Sequence, residues 1–165
     1  MPGGVVQKMS KLMFRGMDKI RHRGAFEVAA MTPTGSSFNG FDKTRQIVLV
    51  TFKRSGEAVP SPINHGVSDG KLYVRTDAST GKVKRLRNNP RVVVVPCSLR
   101  GEPRGEAVAG LARILPEAEH AHADRVIAAN WSPPMKVLER GLDKGSAAFD
   151  IAMVYIEITP ATTPR

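Results

Sequence analysis

The sequence predicts a mainly β domain, a small antiparallel barrel of six strands with flanking helices. Three observations predict it. Short β-branched, apolar runs recur between residues 46 and 159, and several are joined by turns containing Gly, Ser or Asp. A basic helix separates the third and fourth runs, and a helical pair precedes the last, as in small barrels with inserted helices. No GxGxxG fingerprint and no Walker A motif is present, which argues against dinucleotide-binding and P-loop folds. At 165 residues the chain fits one domain that can bury a core without covalent staples.

The elements follow in order. Met9, Leu12, Met13, Met17 and Ile20 have helical spacing, so residues 8–22 predict an amphipathic helix with Lys8, Lys11, Arg15, Lys19 and Arg21 on its other faces. The stretch 31–44, MTPTGSSFNGFDKT, has loop composition and is expected to act as a lid or as an arm over a partner subunit. Residues 1–45 thus form an extension ahead of a barrel domain over 46–160, with 161–165 as a loose tail.

Within the barrel, Gln46 to Lys53 is the first strand, and Arg54-Ser55-Gly56-Glu57 turns into the second, Ala58 to Val67. Pro60 and Pro62 lie two apart on that strand, so one of its sides cannot donate hydrogen bonds and is expected at an edge or bulge. Ser68-Asp69-Gly70 leads to the third strand, Leu72 to Thr76, and a helix runs from about Thr80 to Asn88. Val83 and Leu86 anchor it, and Asn89-Pro90 ends it. Arg91 to Pro96 is a strand buried on both sides, and Gly105 to Leu115 is the fifth. Helices over 116–130 and 133–140 precede the last strand, Ala147 to Thr159.

Charge singles out one stretch. Lys71, Arg75, Lys82, Lys84, Arg85, Arg87 and Arg91 oppose only Asp77 between positions 71 and 91, in a chain of net charge +10. Such a balance implies an anionic partner. A turn with hydroxyls and glycine that opens a basic helix can gather backbone N–H groups, Ser and Thr hydroxyls and a lysine around a phosphate. The single cysteine, Cys97, precludes an internal disulfide and fits a reducing, cytoplasmic setting. No apolar run approaches the roughly 20 residues of a membrane-spanning helix. His120 and His122 lie two apart, on different helix faces, and no metal site is expected.

The segments LVTFKRSGEAVPSPINHGVSDGKLYVRT, ASTGKVKRLRNNPRVVVVPC and EAVAGLARIL, in this order, resemble the pyridoxamine-phosphate-oxidase-like flavin and deazaflavin oxidoreductases. The strand–STGK–helix–NPRV order is nearest the branch that uses the deazaflavin coenzyme F420. The likeness spans about Gln46 to Pro116 and returns at Met153 to Pro160; it does not cover the first 45 residues. It implies a split β-barrel, a homodimer with cofactor sites at the interface, and a phosphate held at Thr76, Ser79, Thr80, Gly81 and Lys82. Ser79 or Thr80 is also placed to cap the helix. Lys84, Arg85 and Arg87 would hold the acidic tail of the coenzyme. The ring would lie against Ser61, Pro62, Ile63, Asn64 and His65. Relatives often carry large aromatics where this chain has Asn64-His65, so His65 is either a ring or substrate contact or an interface histidine.

The expected function is transfer of a hydride from reduced F420 to an electron-poor organic small molecule, with the reactive atom carried by the cofactor and no catalytic acid or base named. FMN is the alternative cofactor. A cofactor-holding protein without turnover, and a nucleic-acid binder using the basic helix, are the readings from other classes. With aromatic content of 5%, stacking platforms for nucleic acid are scarce, and no nucleic-acid partner is expected.

Overall fold

The computed structural model describes residues 27–99, 102–130 and 152–161. Strands β1 (Gln46–Phe52), β2 (Ala58–Ser68), β3 (Lys71–Asp77), β4 (Arg91–Cys97), β5 (Val108–Ile114) and β6 (Met153–Pro160) close into a barrel. Around it the order is β1-β2-β3-β6-β5-β4, and every neighbouring pair is antiparallel. Helix α1 (Gly81–Asn88) joins β3 to β4; a 3-10 turn at Glu117–Glu119 and helix α2 (His120–Ala129) follow β5. The predicted class and the six strands are therefore observed. The helices expected at 8–22 and 133–140, positions 147–151 of the last strand and the end of the tail lie outside the described residues.

Alternation along the strands sorts the apolar side chains into layers. Ile47, Leu49, Leu72, Val74, Val92, Val94, Val108, Ile156 and Ile158 fill the interior. Val48, Val50, Val95 and Cys97 face outward and are covered by Val28, Met31 and Ala107. Tyr73 and Tyr155 face outward beneath α2, against Ala123 and Ile127. Gly66 is where α2 presses on the barrel. A Cβ there would come within van der Waals exclusion of the Val126 carbonyl, so only glycine admits the helix backbone.

Two sequence expectations change. The fifth strand begins at Val108 rather than Gly105, because the Ala107 carbonyl accepts the N–H groups of Thr34 and Gly35 instead of joining the sheet ladder. The stretch 31–44 is irregular, as its composition predicts, but it packs into the barrel of its own protomer. Phe38 and Phe41 are both 3% exposed and belong to the interior cluster, so the segment plugs one end of the barrel.

The two prolines of β2 find their explanation in the register. His65 donates its N–H to the Arg45 carbonyl on the β1 side, so positions 61, 63 and 65 point their amides toward β1. Positions 60 and 62 point away. On that side β3 pairs only with His65 to Ser68, and no strand among the described residues pairs with 58–64. The missing N–H groups fall on an unladdered half-strand, as expected.

Candidate functional site

Strands β2 and β3 part just past the His65–Val74 pair, leaving a split in the wall. Pro62 and Asn64 flank it from β2. Thr76 and Asp77, which pair with Val154 and Met153 of β6, flank it from β3 and lead into the turn before α1. The register puts Pro62 and Asn64 on the outer face of β2, at the edge where the ladder to β3 has ended. It separates them from Ser61 and His65, which alternate to the interior with Ile63 and Val67.

The turn is held by Asp77. Its carboxylate accepts both the backbone N–H and the hydroxyl of Ser79, each at 2.8 Å. Its carbonyl accepts the Thr80 hydroxyl at 2.8 Å and the Thr80 N–H at 3.1 Å. The Thr76 and Thr80 hydroxyls lie 3.5 Å apart. Neither Ser79 nor Thr80 caps α1, contrary to expectation, because both hydroxyls turn back to Asp77. The start of α1 therefore has no side-chain cap, and its first amides carry the positive end of the helix dipole.

Gly81 has a second neighbour besides the turn. The space where its Cβ would stand is taken by the Arg85 guanidinium, whose Nη1 would lie 2.7 Å from that atom. Arg85 folds back over the turn, and its Nε donates to the buried Thr51 hydroxyl at 2.6 Å. It closes the barrel end instead of reaching outward with its neighbours. Lys84 and Arg87 are exposed and three apart on one face, while Lys82, half-buried, lies about 200° around the helix from Lys84. The basic stretch thus divides into a Lys82 flank and a Lys84–Arg87 flank.

His65 is fully buried. Its Nε2 lies 2.7 Å from the Phe41 carbonyl, and its ring stands edge-on to Phe41 at 6.4 Å. Neither expected surface role fits a ring with no exposed area in the protomer. Burial holds its pKa below the usual histidine value, partly offset by the Phe41 and Arg45 backbone and the field of Asp42. Cys97 is buried as well, and burial pushes its thiol up to about 12, which leaves it inert as a nucleophile.

Three residues near these features escaped the sequence reading. Thr51 carries a signal, being the one hydroxyl in the apolar run QIVLVTF. Gln46 donates from Nε2 to Asn64 Oδ1 at 3.2 Å, and its Oε1 is buried without a partner. Asn130, which ends α2, donates to the Thr44 and His65 carbonyls at 3.1 and 2.8 Å. His120 contacts the Leu115 carbonyl and His122 stands against Tyr73; among the described residues no group of His, Cys, Asp or Glu could hold a metal ion. Among those residues, too, no helix is long and apolar enough to cross a membrane.

The residues fit a phosphate-bearing group. An uncapped helix start, Lys82 and the folded-back Arg85 supply positive potential at one edge of the split, against the carboxylate of Asp77.

No protein-family model and no curated protein matches the chain. Solved structures do. The chain is similar to a FAD-binding protein from Mesorhizobium loti, at 22% identity over 73% of this chain and 82% of that one, with a TM-score of 0.51. It is similar to the heme storage protein HutZ from Vibrio cholerae, at 13% identity over 74% and 87%, with a TM-score of 0.54. A conserved hypothetical protein from Mycobacterium tuberculosis is similar at 16% identity over 80% and 87%, again with a TM-score of 0.54. At these identities the likeness establishes a shared split-barrel architecture.

Proposed function

We propose that the chain is an oxidoreductase that binds reduced F420 and delivers a hydride to an electron-poor organic small molecule. The observation that carries this reading is the uncapped, cation-flanked start of α1 at the edge of the β2–β3 split. In it, the amides at the head of α1 and Lys82 hold the phosphate, with Thr76, Ser79 and Thr80 lining the turn. The Asp77 bonds to Ser79 and Thr80 keep that turn in one geometry, which lowers the ordering cost of binding. Pro62 and Asn64 form the wall for the ring, with the Asn64 amide, held by Gln46 Nε2, as the polar contact. Lys84 and Arg87 lie on the helix face where an acidic tail would leave the site. The deazaflavin, when bound, supplies the hydride; the residues position it and screen its charge.

The reading includes a homodimer that covers the split. FMN is the second reading, favoured by the FAD-binding neighbour. Titration of the purified protein with each cofactor, followed by fluorescence, decides between them. Saturable F420 binding with turnover of an electron-poor acceptor supports the proposal. Tight quenching of FMN with the deazaflavin untouched overturns it.

A further inference from the structure

The end of the barrel away from α1 holds a buried titratable group that the proposed redox function does not use. His65 makes three bonds there, each to a different element. Its N–H donates to the Arg45 carbonyl at the start of β1. Its carbonyl accepts from Asn130 at the end of α2. Its Nε2 meets the carbonyl of Phe41, in the plug, at 2.7 Å. A carbonyl only accepts, so Nε2 carries the proton and Nδ1 is bare. That Nδ1 is buried and has no hydrogen-bond partner.

We propose that Phe38 to Thr44 is a proton-released plug, set by His65, that opens this end of the barrel when the medium turns mildly acidic. A second proton on the ring would place a charge in the apolar interior, a desolvation cost that the Phe41 and Arg45 backbone offsets only in part. The surroundings do little to accommodate it. From the plug, the Asp42 carboxylate is the charged side chain whose field favours the cation, and it is exposed. From β1 the ring meets only the Arg45 backbone, from β3 its register partner is Val74, and from α2 the Asn130 amide binds the His65 backbone carbonyl and not the ring.

The plug is the part able to yield. The strands are held by continuous ladders, whereas this segment is held by the Phe38 and Phe41 rings, the His65 bond and the Asn130 bond to the Thr44 carbonyl. Gly40, at φ +85°, provides a flexible joint between the two aromatics. Asn39, Gly40, Phe41 and Lys43 also wall a cleft of about 430 Å³ that extends to Pro96 and Arg104. Release of the plug joins that cleft to the barrel interior.

The sign follows from linkage. Burial depresses the ring's affinity for protons in the closed state, so the open state binds the proton better. Closure is complete above the ordinary histidine value of about 6.5 and is lost as pH falls below it toward the depressed value. Hydrogen–deuterium exchange at pH 5.5 and 7.5, corrected for intrinsic rates, tests this on the hydrogen-bonded amides of Phe41, Lys43 and Thr44. A loss of protection of roughly tenfold or more at pH 5.5, with β1 and β4 amides unchanged, is expected. Equal protection at both values, or a uniform loss across the barrel, overturns the proposal. His65→Gln keeps a donor but cannot titrate, and is expected to abolish the pH dependence; persistence overturns it. Should that variant not fold, the native His65 ring is titrated by NMR. A ring that titrates at or above about 6.5 overturns the proposal, and one that titrates lower, together with the plug amides, upholds it.

Discussion

The barrel is closed at its two ends by different devices. At one, α1 sets Val83 and Leu86 on the interior and keeps Lys82, Lys84 and Arg87 outside. At the other, an irregular segment inserts Phe38 and Phe41 and needs His65 and Asn130 to donate hydrogen bonds to its carbonyls. The contrast follows from backbone chemistry. A helix satisfies most of its own N–H and C=O groups, so its polar side chains and its first amides stay available for a ligand. A loop pressed into a core must find outside partners for its backbone, and the polar groups that serve it are lost to the surface. On the proposed reading, binding belongs to the α1 end, and the pH response to the plug end.

Substitutions can break or sharpen this division. Phe41→Ala should cost about 3–5 kcal/mol of unfolding free energy, the usual penalty for an emptied aromatic core site, measured by urea denaturation. A cost near zero would show that the plug does not belong to the core. Lys82→Ala should weaken cofactor binding by about 1.5–3 kcal/mol while changing stability by less than about 1 kcal/mol. Unchanged affinity would remove the phosphate assignment from α1. Thr51→Val has the smallest expected effect. Loss of the acceptor for Arg85 Nε should cost about 1 kcal/mol of stability and loosen the turn around Gly81, read as a modest rise in the cofactor dissociation constant. A destabilisation as large as that of Phe41→Ala would mean that both ends are structural to the same degree.

The barrel was legible because its signals are local and periodic. Runs such as QIVLVTF and RVVVVPC admit little but strand, and GKVKRLRN between them carries helical spacing with a clear stop. The prolines of β2 even indicated which half of that strand would lack a neighbour. What sequence could not give was direction. Nothing in the order of residues says that Arg85 folds back while Arg87 points out, that Ser79 bonds Asp77 rather than capping the helix, or that Asn64 and His65 face opposite sides of a wall. Those outcomes depend on strand parity and on contacts 24 or 34 residues away in the chain, such as His65 with Phe41 and Arg85 with Thr51. Loop composition at 31–44 matched an irregular segment but said nothing of its burial, since two phenylalanines find their partners only once the barrel exists.

The unladdered half of β2 also bears on what the split can admit. Amides and carbonyls of one residue point to the same side of a strand, so Pro60 and Pro62 offer carbonyls toward the split and no N–H groups. An incoming peptide strand needs alternating donors and acceptors, and finds here mostly acceptors. The opening is thereby guarded against aggregation by strand addition, while a compact ligand that brings its own donors meets no such bar.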